Sequence, residues 1–189
     1  MNAIDDSSVA SLRAAIDERQ DLFVQAIEAA CPRWNEEILP PEVPERSRPM
    51  QTTWTPRQAC WHVLSTRWWM QSVALEHVRR AQEHEPALLR DTFGDNWWPN
   101  HTVELDELRN ALAEPAEGVA LAHERLAAFS DALESVTDVD LEAPWEPSRS
   151  TASYLASFGG EETPNTVRGL LTLTALHLAD HAEQIASKV

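Results

Sequence analysis

Trp54-Thr55-Pro56-Arg57-Gln58-Ala59-Cys60-Trp61-His62-Val63-Leu64 carries the clearest helix start in the chain. Thr55 suits an N-cap, Pro56 the first helical position, and Gln58 the third. Together they make a capping box with a preorganised first turn. Trp54, just before the cap, can pack on Ala59 as a hydrophobic staple. Ala59, Val63, Thr66, Met70, Val73 and His77 then recur at steps of four and three, so one face turns inward until the pattern fades at Gln82 to Glu85, before Pro86.

Three more patterns of the same period flank this helix. Upstream, Val9, Leu12, Ile16, Phe23, Ile27 and Ala30 give an apolar face from about Ser8 to Ala30, with Ser7 or Ser8 as cap and Pro32 as stop. A proline-rich linker, Cys31 to Trp54, follows. Downstream, Leu105, Leu108 and Leu112, then Val119, Ala122, Leu126, Phe129, Leu133 and Val136, hold one register interrupted at Pro115. Either one helix bends there or a short helix abuts a long one, with the break near Ala113 to Pro115. Thr137 to Thr163 reads as irregular. The last helix is expected to start near Thr163-Pro164 and run nearly to Val189, with Val167, Leu171, Thr174, Leu178, His181 and Ile185 facing inward. Ala and Leu far outnumber Ile and Val, and no stretch alternates as a strand would. The expected class is all-α, a four-helix bundle forming a single domain over residues 1–189.

Composition narrows the function. The chain has 189 residues, 43% hydrophobic and 24% charged, which suits one core and argues against disorder. Fifteen basic residues against 31 acidic ones give −16, a balance that repels nucleic-acid and anionic-lipid surfaces. No basic patch exceeds Arg79-Arg80. Two cysteines cannot build a disulfide scaffold, and the N-terminus lacks the pattern of a signal peptide. No apolar run is long enough to span a bilayer. A cytoplasmic protein acting on a small molecule, with neither nucleic acid nor membrane as partner, is expected.

Among seven histidines, His177 and His181 stand four apart on the last helix, so their side chains point the same way one turn apart. His62 lies on the edge of the inward face of the second helix. Three inward imidazoles need partners for six ring nitrogens, and one cation satisfies three of them. Three protein ligands also leave a coordination position open, the pattern of catalytic rather than structural sites, where a water or thiol can be activated. The trio can meet only if the start of the second helix lies beside the end of the fourth. Those two helices must then be antiparallel, with one end-to-end crossover in the chain. Both long segments could supply it: His84 to His101 reaches roughly 60 Å when stretched, against about 30 Å for a helix of some 20 residues.

The segment quoted at the outset resembles the second-helix signature of the DinB/YfiT-like superfamily. Leu176-His177-Leu178-Ala179-Asp180-His181-Ala182-Glu183-Gln184-Ile185 is similar to that family's C-terminal His-x-x-x-His-x-x-Gln-Ile motif. The resemblance implies an up-down-down-up bundle with the crossover between helices two and three. It implies a divalent metal, zinc or nickel, held by His62, His177 and His181. Such families include thiol transferases that use bacillithiol, mycothiol or glutathione, and a mycothiol-dependent maleylpyruvate isomerase. The isomerase type has Glu where this chain has His177, a departure that speaks against that activity. A homodimer also fits the resemblance.

Around the trio, Trp69 shares the His62 face and could line a substrate pocket or fill core, and Gln184 could bind a ligand or a loop carbonyl. Cys60 should point away from the site as a packing residue. Trp97-Trp98 should anchor the crossover or cover the site. Asp180 and Glu183 read as solvated charges, His77 as core, and His84, His101 and His123 as loop or surface residues. Two further readings stand beside a metal-dependent thiol transferase or hydrolase. One is a non-catalytic binding or dimerising module with a vestigial site, which eight Trp would suit. The other is a bundle whose histidines are purely structural.

Overall fold

The computed structural model describes residues 6–38, 54–64, 78–79, 82–83, 111–144 and 166–187. Four helices carry the architecture: α1 (Val9–Ala30), α2 (Pro56–Leu64), α3 (Pro115–Leu133) and α4 (Val167–Ala186). Among the described residues extended pairing is limited to two isolated antiparallel bridges, Ile38 with Trp54 and Pro144 with Thr166. The fold is all-α.

The capping chemistry follows the sequence closely at α1 and α2, and α3 adds a box that the sequence reading did not name. The Ser8 side chain accepts from the Ser11 N–H at 3.1 Å. At α2 the box is reciprocal: Thr55 N–H donates to Gln58 Oε1 at 2.8 Å, and Gln58 N–H to Thr55 Oγ1 at 3.2 Å. Pro115 opens α3, where the Glu114 N–H donates to Glu117 Oε2 at 3.3 Å. The register break therefore falls at Pro115. The fourth start is later than expected. Thr166, extended at φ −136° and ψ 163°, accepts from Gly169 N–H and caps α4, so the helix begins at Val167 rather than at Pro164. The expected irregular stretch after Thr137 also contains a helical turn, Asp138–Leu141, capped by Thr137.

Helix directions follow from which ends touch. The start of α4 meets the start of α1: Arg168 donates to the Asp6 carbonyl, and Thr172 Oγ1 to Asp6 Oδ2 at 3.2 Å. The far ends meet too, since Arg33, just past α1, donates to the carbonyls of Ile185 and of Ser187 (2.6 Å for the latter). Helices α1 and α4 are parallel. Helix α3 runs the other way, because its late residue Ser130 binds Asp17 at 2.8 Å while its early residue Gly118 lies against Trp34. Helix α2 points with α3. Cys60, one turn in, donates to the Gly118 carbonyl at 3.9 Å, whereas Val78 is buried with Leu12, Phe129 and Leu133 at the opposite end. This is the up-down-down-up arrangement. The crossover itself lies outside the described residues, as do His77, His84, His101, Trp97 and Trp98.

Two apolar clusters fill the bundle. One gathers Leu12, Ile16, Phe129, Leu133, Leu170 and Leu171. The other gathers Phe23, Ile27, Ala59, Val63, Leu126, Leu178 and Ile185 at the end where α1 and α4 finish and α2 and α3 begin. At this second end the Trp34 indole N–H donates to the Leu112 carbonyl at 2.8 Å, and Arg57 Nε donates to the Ala111 carbonyl at 2.8 Å. These bonds hold Leu112 at φ 50°, a left-handed conformation that costs a non-glycine residue about 1–2 kcal/mol.

The same indole requires glycine at position 118. A Cβ there would sit 2.6 Å from two Trp34 ring atoms. Trp34 is buried and tethered through its N–H, so it cannot swing aside. Helix propensity alone favours Ala over Gly by about 1 kcal/mol. Gly118→Ala should instead destabilise the fold by about 1–3 kcal/mol, read as a lower midpoint in a thermal melt. An unchanged or higher midpoint would contradict the close packing of Trp34 on α3.

Candidate metal centre

The three histidines singled out by spacing come together. His177 and His181 project from one face of α4, and both are buried, 5% and 2% exposed. His62 reaches them from α2, half-buried, from 115 residues away in sequence. Its Nε2 lies 3.3 Å from His177 Nε2, which in turn lies 3.2 Å from His181 Nε2. One ligand atom from each ring falls within 4.8 Å of the other two. The rings meet at 57°, 60° and 80°, edge or tilted rather than stacked.

Nitrogens aimed at one another in this way need something between them. Two lone pairs 3.2 Å apart repel unless a proton or a cation separates them. Gln184, 2% exposed, places its Oε1 2.8 Å from His181 Nδ1, an acceptor that favours the tautomer with the proton on Nδ1 and a lone pair on Nε2. A proton on His177 Nε2 can be donated along only one of its two short contacts. A cation can serve all three nitrogens. The two short separations also suit one: with metal–nitrogen bonds of about 2.0–2.1 Å, the edge of a tetrahedron is about 3.3–3.4 Å, and the third pair, His62 and His181, lies within 4.8 Å. The donor set, three imidazoles with a side-chain carbonyl behind one of them, fits a divalent transition metal.

The electrostatics keep the ligands in the form a metal needs. Burial holds His177 well below the ordinary imidazole value, aided by His181 and then His62. Burial likewise pushes His181 down to about 3, with His62 adding to the effect and the Gln184 hydrogen bond opposing it. Asp180, read from sequence as a solvated charge, is half-buried, and its carboxyl is pushed up to about 6 by desolvation and then by Glu183.

Other expectations sort themselves around the trio. Cys60 is fully buried, its thiol on the Gly118 carbonyl and driven far above its ordinary value by burial. It is a packing residue. His123 lies on the surface, 3.7 Å from Glu28. Gln184 turns its Oε1 to His181, and its buried Nε2 has no hydrogen-bond partner among the described residues. Trp69 lies outside the described residues. The residue missed is Trp54, read only as a staple on Ala59. Its indole lies parallel to the His181 ring (5.7 Å between centroids, 6° between planes) and edge-on to His62 (4.9 Å, 66°). The available signal was its position next to the cap of the helix that carries His62.

The buried neutral imidazoles set a pH dependence. An unfolded imidazole ionises near 6.5, whereas His177 and His181 resist protonation well below that. From pH 6.5 downward the unfolded chain takes up protons that the fold refuses, so stability falls, by about 2 kcal/mol per ring at pH 5. Asp180 acts in the opposite sense: its folded value of about 6 exceeds the ordinary 3.8, so its contribution is present at low pH and is lost as pH rises through 6. Two imidazoles outweigh one carboxyl. The melting midpoint of chelator-treated protein should drop between pH 7 and pH 5, and drop further in Asp180→Asn. A flat or rising midpoint would contradict the neutral state of the pair.

No family model matches the chain, and neither a curated protein nor a solved structure does. Among the described residues no helix is long and apolar enough to cross a membrane. The coordinates establish an all-α protein with three clustered histidines able to coordinate a metal ion.

Proposed function

We propose that the protein is a metal-dependent enzyme of the DinB type, a thiol S-transferase or hydrolase acting on a small molecule. The convergence of the Nε2 atoms of His62, His177 and His181 supports this reading most directly. These residues would hold zinc or nickel, both of which imidazole suits. When bound, the ion supplies Lewis acidity to a water or thiol at its open position.

The chain's own residues prepare that chemistry. Burial keeps His177 and His181 unprotonated, and Gln184 favours Nε2 as the donor nitrogen of His181. Neither cysteine is presented as a nucleophile: Cys60 is buried on the Gly118 carbonyl, and the Cys31 thiol donates to the Ile27 carbonyl at 3.5 Å. A thiol reaction here would therefore draw on a low-molecular-weight thiol from solution. The acidic surface suits a small-molecule substrate better than nucleic acid, and we place the enzyme in the cytoplasm as a homodimer.

Metal analysis of protein purified without chelator or nickel resin tests the proposal. The parent should carry about one divalent ion per chain. Zinc or nickel at a hundredfold excess over Kd should stabilise the stripped protein by about 2.7 kcal/mol, or roughly 5–10 °C. His62→Ala and His177→Ala should abolish both effects. No bound metal together with no thermal gain would overturn the proposal.

A further inference from the structure

We propose that Trp54 is a positioning residue of the metal centre, holding the ring planes of His62 and His181 in register across two helices. The inference rests on the metal reading of the trio. Three observations carry it. The backbone on either side of the indole is fixed: the Trp54 carbonyl accepts from the N–H of fully buried Ile38 at 2.6 Å, and the next residue, Thr55, is tied into the α2 cap through Gln58. The indole touches one ligand from each helix, lying parallel to His181 and edge-on to His62. The two contacts also differ in kind. A parallel neighbour resists tipping of the His181 plane, while the Gln184 hydrogen bond resists its rotation within the plane. Against His62 the rings meet edge to face, the arrangement the aromatic quadrupole favours.

Metal-bound imidazoles are commonly oriented by a hydrogen bond to their second nitrogen, and losing such a partner weakens metal binding about 10–100-fold. Here an aromatic surface supplies part of that restraint, and it reaches α2 and α4 at once. Removing it should leave every ligand atom in the chain yet loosen the geometry that brings them together. Trp61 is the control. It packs on the same apolar cluster, and among the described residues it makes no ring contact with the histidines.

The test titrates stripped protein with cobalt(II), following the ligand-field absorption and the indole emission. Trp54→Leu should bind cobalt about 10–100-fold more weakly than the parent and show a shifted ligand-field band. Trp54→Phe should recover most of the affinity, and Trp61→Leu should match the parent. Trp54→Phe should also lose the largest share of the cobalt-induced quenching of emission, a result that carries the test if Trp54→Leu does not fold. Affinity and band unchanged in Trp54→Leu, or full quenching retained in Trp54→Phe, would overturn the assignment of Trp54 alone. A parent that binds no cobalt would overturn the metal reading and this inference with it.

Discussion

Three imidazole nitrogens gathered within 4.8 Å of one another, two of their pairs in direct contact through His177, are the constraint to which the rest of the structure answers. Their lone pairs cannot share that space without a proton or a cation among them. Bringing them together forces the start of α2 against the end of α4, and therefore forces those two helices to run antiparallel. An up-down-up-down order would have put His62 at the opposite end from His177 and His181. The parallel pair α1 and α4 and the reversed pair α2 and α3 solve that problem. The Arg33 guanidinium on the last carbonyls of α4 pins the two helix ends beside which the site forms.

The packing below the site is arranged for closeness rather than bulk. Glycine on α3 admits Trp34, and the Trp34 N–H and Arg57 together hold the turn at Ala111–Leu112 in a conformation leucine adopts reluctantly. Backbone strain of this kind persists only where neighbouring contacts over-determine it. Here the contacts come from the segment after α1 and from the first turn of α2, the same helix that delivers His62. Loop, helix start and ligand are thus one mechanical unit.

Much of this was legible in the residues. The Thr55–Gln58 box, the break at Pro115 and the inward stripe of α4 were readable because each rests on local chemistry: a side-chain cap, a missing N–H, a 3.6-residue period. The pairing of His177 with His181 followed from helix geometry, and the inclusion of His62 from the shortage of partners for buried nitrogens. Other features were not legible because they depend on tertiary neighbours. Thr166 wins the α4 cap over Thr163-Pro164, beside a bridge to Pro144 far away in sequence. Asp180 looks like any exposed helix charge until burial and Glu183 raise its proton affinity. Trp54 reads as a staple, since nothing in its own segment reveals that α4 brings His181 against its indole.

Anomalous scattering recorded on either side of the zinc and nickel absorption edges, from crystals of protein that has never met a chelator or nickel resin, addresses the central claim most directly. A single peak bonded to Nε2 of His62, His177 and His181, with one side open to solvent, is the predicted result. Well-ordered rings in the same positions with no anomalous peak at either edge, and direct hydrogen bonds among them instead, would contradict it.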